Sequence, residues 1–353
     1  MATRRSFLAG LGAMTSLPAI GWADVGRPAF LAAGKRGSGC VLAGLDAAGR
    51  QVFAVPLPAR GHAAAAHPTL AEAVAFARRP GQFALVIDCA SWAVRHRLTP
   101  PAGRQFNGHG AFSLDGSVLM TSEVVAEGSA GRIGMWETAG YTRIGESKTG
   151  GIGPHDMKRL PDGRLIVANG GIETDPSDRA KLNIPDMRPN LALLSAEGAL
   201  LDIAELPPGL RQNSIRHLAL LPDGVAFAMQ WEGDRSDGVP LLGLWTRGAA
   251  PRACNLPQAQ ALAMKGYAGS IAATADGALI AVTSAPGGVV MICDGAGVPL
   301  ATHTRADISG VSALGPGFVA TDGQGVVWAC DAQGLTPLSQ GDTLWDNHLV
   351  PLG

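Results

Sequence analysis

The sequence predicts an all-β chain built as a seven-bladed β-propeller, and three observations carry that prediction. A four-strand plan recurs about every 48 residues, the spacing of a propeller blade. Glycine (48) and proline (24) are abundant in the 353 residues, and they punctuate Val/Ala/Leu/Ile runs of strand length rather than helix length. A lone strand at the C-terminus matches three unpartnered strands near the N-terminus.

In chain order, residues 1–23 come first and read as an export signal. Arg4-Arg5-Ser6-Phe7-Leu8 sets paired arginines before a Gly/Ala-rich apolar stretch that runs to Ile20, and Gly21-Trp22-Ala23 supplies a small-x-small cleavage pattern. The pair points to the twin-arginine route, with cleavage after Ala23 and a periplasmic destination. The stretch lacks the polar face of an amphipathic helix and is too short to span a bilayer. The rest, 24–353, is expected to be the propeller and to contain no membrane span.

The repeat is clearest in three segments. Gly108-His109-Gly110 to Asp115-Gly116, Pro154-His155-Asp156 to Asp162-Gly163, and Arg216-His217 to Asp223-Gly224 each open a strand with histidine and close it at an Asp-Gly turn. Second strands follow at Ser117 to Thr121, Arg164 to Ala168 and Val225 to Met229. Arg132 to Trp136 and Tyr141 to Ile144 show the third and fourth, joined by a glycine-containing turn. The plan returns at Ser270 to Gly277 and Val311 to Gly317 without histidine. It also fits Gly61-His62 to Pro80, with Ala73 to Phe76 as second strand. Unit starts near residues 62, 109, 155, 217, 270, 311 and 348 give seven blades.

The last start, His348-Leu349-Val350-Pro351, has no chain left to complete a blade. Phe30 to Ala33, Cys40 to Leu45 and Gln51 to Leu57 supply the three missing strands, so the ring closes between the termini and covers its strand edges. Little helix is expected beyond a turn near Leu70 to Glu72.

Composition narrows the function. Lys+Arg 28 against Asp+Glu 29 gives a formal net charge of −1, and no basic run follows the signal, so nucleic-acid binding has no electrostatic footprint. The five cysteines (Cys40, Cys89, Cys254, Cys293, Cys330) form neither CxxC nor CxxCH, which excludes a dithiol redox motif and the usual covalent haem attachment. An oxidising compartment permits a disulfide, and the odd count leaves at least one thiol free. GxSxG, HExxH and phosphate-loop patterns do not occur.

In a propeller the first strand of each blade lines the channel. His62, His109, His155, His217 and His348 should therefore converge at one channel mouth, joined from the second-strand ends by Arg78, Glu123, Asn169, Gln230 and Glu232, with Arg216 beside His217. The polar, proline-punctuated segment Gly171 to Asn190 is expected to cover that mouth. Neutral imidazoles with a carboxylate are first-row transition-metal ligands. The five histidines and Glu123 are thus the expected metal ligands, for iron, copper or zinc, and affinity should fall as pH drops through about 6. The opposing reading is that a Gly-His before a blade's first strand is a structural hydrogen-bonding device. His67, His96 and His303 lie elsewhere in the repeat and read as packing or surface residues. Asp156 and Asp162 are not expected to be catalytic, Asp162 being a turn residue.

Several longer stretches resemble the bacterial domain-of-unknown-function family 1513. They include Gly151-Ile152-Gly153-Pro154-His155-Asp156, Val167-Ala168-Asn169-Gly170-Gly171-Ile172, Ser214-Ile215-Arg216-His217-Leu218, Gln230-Trp231-Glu232-Gly233-Asp234 and Trp345-Asp346-Asn347-His348-Leu349. The resemblance implies a periplasmic propeller encoded beside imelysin-like and dihaem-oxidoreductase-like partners in iron-responsive clusters, and so a role in periplasmic iron handling. The expectation is a protein that binds iron, or an iron complex, at the histidine ring and serves uptake or delivery, haem being a weaker candidate than an ion. The alternatives are a metal-dependent, lactonase-like hydrolase using Glu123 and Asn169, and a metal-free interaction scaffold.

Overall fold

The computed structural model describes residues 20–79 and 81–352. Seven four-stranded antiparallel sheets are formed, each ordered from channel to rim. Blade 1 runs Gly61–Ala66, Glu72–Ala77, Ala84–Asp88, Ala93–Leu98. Blade 2 runs Arg104–Phe112, Val118–Val125, Ala130–Glu137, Thr142–Ile152. Blade 3 is Pro154–Arg159, Leu165–Asn169, Asn190–Leu194, Leu200–Glu205, and blade 4 is Asn213–Leu221, Gly224–Trp231, Leu242–Thr246, Arg252–Ala253. Blade 5 is Ser270–Ala273, Leu279–Ser284, Val289–Asp294, Pro299–Thr304, and blade 6 is Ile308–Leu314, Gly317–Asp322, Val326–Cys330, Leu335–Gln340. Blade 7 joins the termini as expected: Thr343–Pro351 pairs with Phe30–Arg36, which continues through Gly39–Leu45 to Gln51–Leu57.

The core lies between blades, where the apolar faces of neighbouring sheets meet. Phe76, Phe106 and Leu119 fill the space between blades 1 and 2, and Phe30, Leu45 and Trp345 fill that between blades 6 and 7. These side chains are almost wholly removed from water, each worth roughly 1.5–3 kcal/mol relative to exposure. The Asp-Gly turns have a physical reason. Gly116, Gly163 and Gly277 take positive φ of 75°, 87° and 69°, and the preceding aspartates accept backbone N–H groups across the turn, as Asp115 Oδ1 does from Ser117 at 3.1 Å. Gly224 is glycine for another reason, since a Cβ there would meet the Trp245 carbonyl oxygen at 2.0 Å.

The expected turn at Leu70 to Glu72 is not helical. The residues accept a different solution, with Thr69 and Leu70 N–H donating to His67 Nδ1 at 3.2 and 3.0 Å. The helical segments among the described residues are Gln258–Ala263 and the 3-10 turns Trp22–Val25, Ile184–Asp186, Pro208–Leu210 and Arg235–Asp237. The export signal read over residues 1–23 lies, through residue 19, outside the described residues. Of its end, Trp22 Nε1 donates to the His67 carbonyl at 2.8 Å and Ile20 accepts from the Ala71 N–H at 2.8 Å. No helix among the described residues is long and apolar enough to cross a membrane. The five cysteines are free thiols, and burial first of all pushes Cys89, Cys293 and Cys330 up to about 12.

Candidate metal centre

Four of the five histidines, His62, His109, His155 and His348, sit in a β-bulge of the strand that lines the channel, and His217 directly follows the bulged residue Arg216. The ladder slips between Gly61 and Ala64, Phe106 and Gly110, Pro154 and Met157, and Ile215 and His217. It slips again opposite Ala33, where Asp346 to His348 face the gap between Ala32 and Gly34. A bulge adds a residue on one strand and re-aims its side chain. Here the re-aimed side chains are imidazoles directed at the channel axis. Blades 5 and 6 have no histidine there: the inner strand of blade 5 is unbroken, and that of blade 6 slips between Ile308 and Val311, at Ser309-Gly310.

The rings converge tightly. Centroid separations run from 4.5 Å for His62 and His348 to 5.8 Å for His109 and His217, with His155 at 4.8 Å from His109 and 4.7 Å from His217. His348 Nε2 lies 3.3 Å from His62 Nε2. Two groups have ligand nitrogens within 4.8 Å of one another: His62, His109 and His348, and His109, His155 and His217. The cluster was expected at an open mouth, but it is sunk in the channel, with His109, His155 and His217 each 4% exposed and His348 7%. On the side toward which the inner strands run lies a cavity of about 430 Å³, floored by His109, His217 and His348 and walled by Leu220, Ala272 and Val311 among others.

Burial, followed by the neighbouring charges, sets the electrostatics. Burial and then His348, His109 and His217 hold His62 well below the ordinary imidazole value. The same leading cause depresses His155, His217 and His348, and Arg216 is the next contributor at His155. His109 is lowered too, although Asp156 opposes the shift. All five are therefore neutral, ligand-competent imidazoles. Each neutral ring carries one acceptor and one donor, yet His62 Nδ1, His109 Nε2, His155 Nδ1 and His217 Nδ1 are buried without a hydrogen-bond partner. A buried unpaired polar atom costs roughly 1–3 kcal/mol, so a purely structural role leaves several such costs unexplained.

Asp156, set aside in reading the sequence, belongs to this centre. Its Oδ1 lies 3.2 Å from His109 Nδ1, and its Oδ2 accepts from the Leu218 N–H at 3.0 Å. Burial alone would raise its pKa, but Lys158 and His109 outweigh that and hold the carboxyl far below the usual carboxylate range. The overlooked signal is its place beside His155 in a bulge, which turns both residues away from the regular ladder.

Glu123 is not brought to the histidines, and this corrects its expected role as a ligand. It is fully buried and paired with Arg143 through Oε1–Nη1 at 2.7 Å and Oε2–Nη2 at 3.0 Å, with Thr121 Oγ1 donating at 2.8 Å. Gly134 leaves the room it needs, since a Cβ there would stand 2.0 Å from Glu123 Oε1. Asn169 Nδ2 donates to the Thr149 carbonyl at 2.9 Å and to Asn190 Oδ1 at 2.8 Å, while its own Oδ1 is buried without a hydrogen-bond partner.

The remaining candidates occupy the mouth above the ring. Arg78 meets Asp346 at 3.1 Å, beside Arg60, whose Nε is 2.6 Å from the same carboxylate. Glu232 pairs with Lys181, and Gln230 forms a backbone bridge to Tyr267. Arg216 Nη1 lies 3.4 Å from Ser214 Oγ. The segment Gly171 to Asn190 does reach across this mouth: Thr174 N–H donates to Ser129 Oγ of the blade 2 turn at 2.9 Å, and Arg179 Nη1 donates to the Arg79 carbonyl beyond blade 1 at 3.4 Å. His67 packs edge-on against Phe112, His96 lies against Tyr141, and His303 Nε2 is 2.8 Å from the Asp331 carbonyl.

Fold and centre together define a β-propeller with a buried histidine cluster in its channel. The chain belongs to the family described as "Protein of unknown function (DUF1513)", whose model matches residues 55–352. No curated protein matches it in sequence. Among solved structures it is similar to Kuenenia stuttgartiensis hydrazine synthase, with 13% identity and a TM-score of 0.59 over 94% of this chain and 99% of that one. It is also similar to U3-55K, with 15% identity and a TM-score of 0.59 over 80% and 82%. A protein of unknown function from Bacteroides caccae matches at 14% identity and a TM-score of 0.50 over 79% and 94%. At these identities the likeness is one of fold alone.

Proposed function

We propose that this protein is a periplasmic propeller that holds a transition-metal ion in the channel and serves its uptake or delivery, with iron as the ion its family's context favours and copper or zinc as the competitors. The observation that carries this reading is the set of buried imidazole nitrogens without partners, one on each of His62, His109, His155 and His217. A metal ion held by the His109, His155 and His217 group would give partners to imidazole nitrogens there, whereas hydrogen bonding within the cluster leaves them bare. The spacing is compatible: two nitrogens bound tetrahedrally at roughly 2.0–2.1 Å stand roughly 3.3 Å apart, the separation of His348 Nε2 and His62 Nε2. The bound ion would supply Lewis acidity or redox capacity; the chain's own contribution is to keep five imidazoles neutral, close and dry.

Two competing readings lose support. The imidazoles stand too close together for a porphyrin plane to lie between them, which argues for an ion rather than haem. A lactonase-like hydrolase would need Glu123 free to act on water, and Arg143 occupies both of its oxygens. Imelysin-like and dihaem-oxidoreductase-like proteins remain the proposed partners. The test is elemental analysis of protein recovered from its own periplasm beside a His109→Ala/His155→Ala/His217→Ala variant. Near-stoichiometric metal in the parent and none in the variant is expected. Equal, trace metal in both, even after anaerobic loading with ferrous and cuprous ions, would overturn the assignment and leave the scaffold reading.

A further inference from the structure

Above the histidines, the mouth carries a pocket of about 250 Å³ between the crossing segment, the end of blade 1's second strand and the inner strand of blade 4. Four cations line it, Arg79, Arg179, Lys181 and Arg216, against one carboxylate, Asp178. Lys181 is taken up by Glu232. Among the described residues none of Arg79, Arg179 and Arg216 forms an ion pair, and Asp178 is turned to its own loop, accepting from the Ala180 N–H at 2.8 Å. Arg216 Nε is buried without a hydrogen-bond partner. Burial and then Arg216, Arg179 and Arg78 push Arg79 down to about 9, only partly opposed by Glu232, as expected where positive charges crowd together.

Guanidinium groups match the planar oxygen pairs of carboxylates and phosphates. Arg79 and Arg216 are partly buried and Arg179 is exposed, and since the nearby Glu232 is paired with Lys181 and Asp178 with its own loop, this excess of positive charge is costly unless an anion is supplied from outside. We infer that this pocket is a binding site for a small multivalent oxyanion, a polycarboxylate or a phosphate, held by Arg79, Arg179 and Arg216. The Gly171 to Asn190 segment is then part of a binding site and not only a cover, because it brings Arg179 from blade 3 to the carbonyl of Arg79. The site stands on residues separate from the histidine nitrogens, so it does not require the metal reading to hold.

The experiment is calorimetric titration of metal-free protein with citrate and with orthophosphate, using chloride at equal ionic strength as the control. Arg79→Gln, Arg216→Gln, Arg216→Lys and the exposed-site control Arg50→Gln are titrated alongside, with thermal melts reporting whether each is folded. Saturable binding of one or both anions is expected. Each glutamine variant should weaken it about 10-fold or more, Arg216→Lys by less, and Arg50→Gln not at all. The His109→Ala/His155→Ala/His217→Ala variant should still bind the anion, which separates failure here from failure of the metal assignment. Absence of saturable binding up to about 10 mM of either anion, or equal affinity in folded Arg79→Gln and Arg216→Gln, overturns the site. Preference for citrate over phosphate, or the reverse, assigns the source.

Discussion

His109 Nδ1 stands 3.2 Å from Asp156 Oδ1, and the contact crosses the seam between blades 2 and 3. An anionic carboxylate in that position accepts the Nδ1 proton and so fixes the tautomer that leaves Nε2 free as an acceptor. Nε2 is the atom of His109 that is buried without a partner. The pair thus has the form of a carboxylate that orients an imidazole, with Nε2 of His109 left to face an ion. Asp156→Asn should keep the fold, because an amide oxygen can still accept from Leu218 N–H, but it should weaken metal affinity roughly 10–100-fold. Competition with a chromophoric chelator measures this; unaltered affinity in a folded Asp156→Asn protein would remove Asp156 from the centre.

How much of this was legible in the sequence follows from what each residue's position depends on. Blade count and closure depend on strand order and turn chemistry, which Asp115-Gly116, Asp162-Gly163 and the unpaired His348 strand display openly. Convergence of the five histidines follows from their shared place at the start of inner strands. Side-chain direction depends on ladder register, and bulges leave no residue signature, so the sequence does not reveal that Asp156 turns to the same centre as His155. The end of a strand alone points Glu123 toward the mouth. The informative detail lay across the ladder, where Gly134 opens space and Arg143 supplies the partner. Nothing in the local sequence marks Arg79, because its importance comes from Arg179, about a hundred residues away and brought near by a loop.

The depressed imidazole pKa values change the expected pH behaviour. All five histidines are held below the ordinary imidazole value of 6.5, by burial before anything else. The unfolded chain therefore takes up protons before the folded one as pH falls. Their contribution to stability is complete above about 6.5 and is lost as pH drops from there toward the depressed folded values. Thermal melts of metal-free protein from pH 8 down to pH 5 should show the parent losing stability more steeply below about 6.5 than a His109→Gln/His155→Gln/His217→Gln variant. Metal binding should also persist below about pH 6, instead of failing there as an ordinary histidine site would. Parallel stability curves for parent and variant would contradict both statements.

Glu123 provides a clean separation of structure from function. Glu123→Gln removes one partner of a buried charge pair whose other member, Arg143, keeps partial contact with water at 19% side-chain exposure. The substitution should destabilise the fold by about 1–3 kcal/mol, the range for a lost hydrogen bond to a charged group. Metal stoichiometry and affinity should be unchanged. Denaturant unfolding and metal analysis on the same preparation decide it: a stable variant that no longer binds metal would restore Glu123 as a ligand.

Gly108 tests whether the Gly-His pair of blade 2 serves the centre or only the turn. Its φ is 92°, and a Cβ at that position would stand 2.4 Å from His62 Cδ2 and 3.2 Å from His62 Cγ. Glycine is thus required twice, by backbone conformation and by the imidazole of the neighbouring blade. Gly108→Ala should destabilise the protein by about 1–3 kcal/mol and, by moving His62 off His348, should weaken metal binding as well. Gly145→Ala is the matched control, since an added Cβ there meets nothing within 4 Å. If Gly108→Ala lowers stability while leaving metal affinity at the parent value, the glycine belongs to the bulge alone, and His62 drops out of the ligand set.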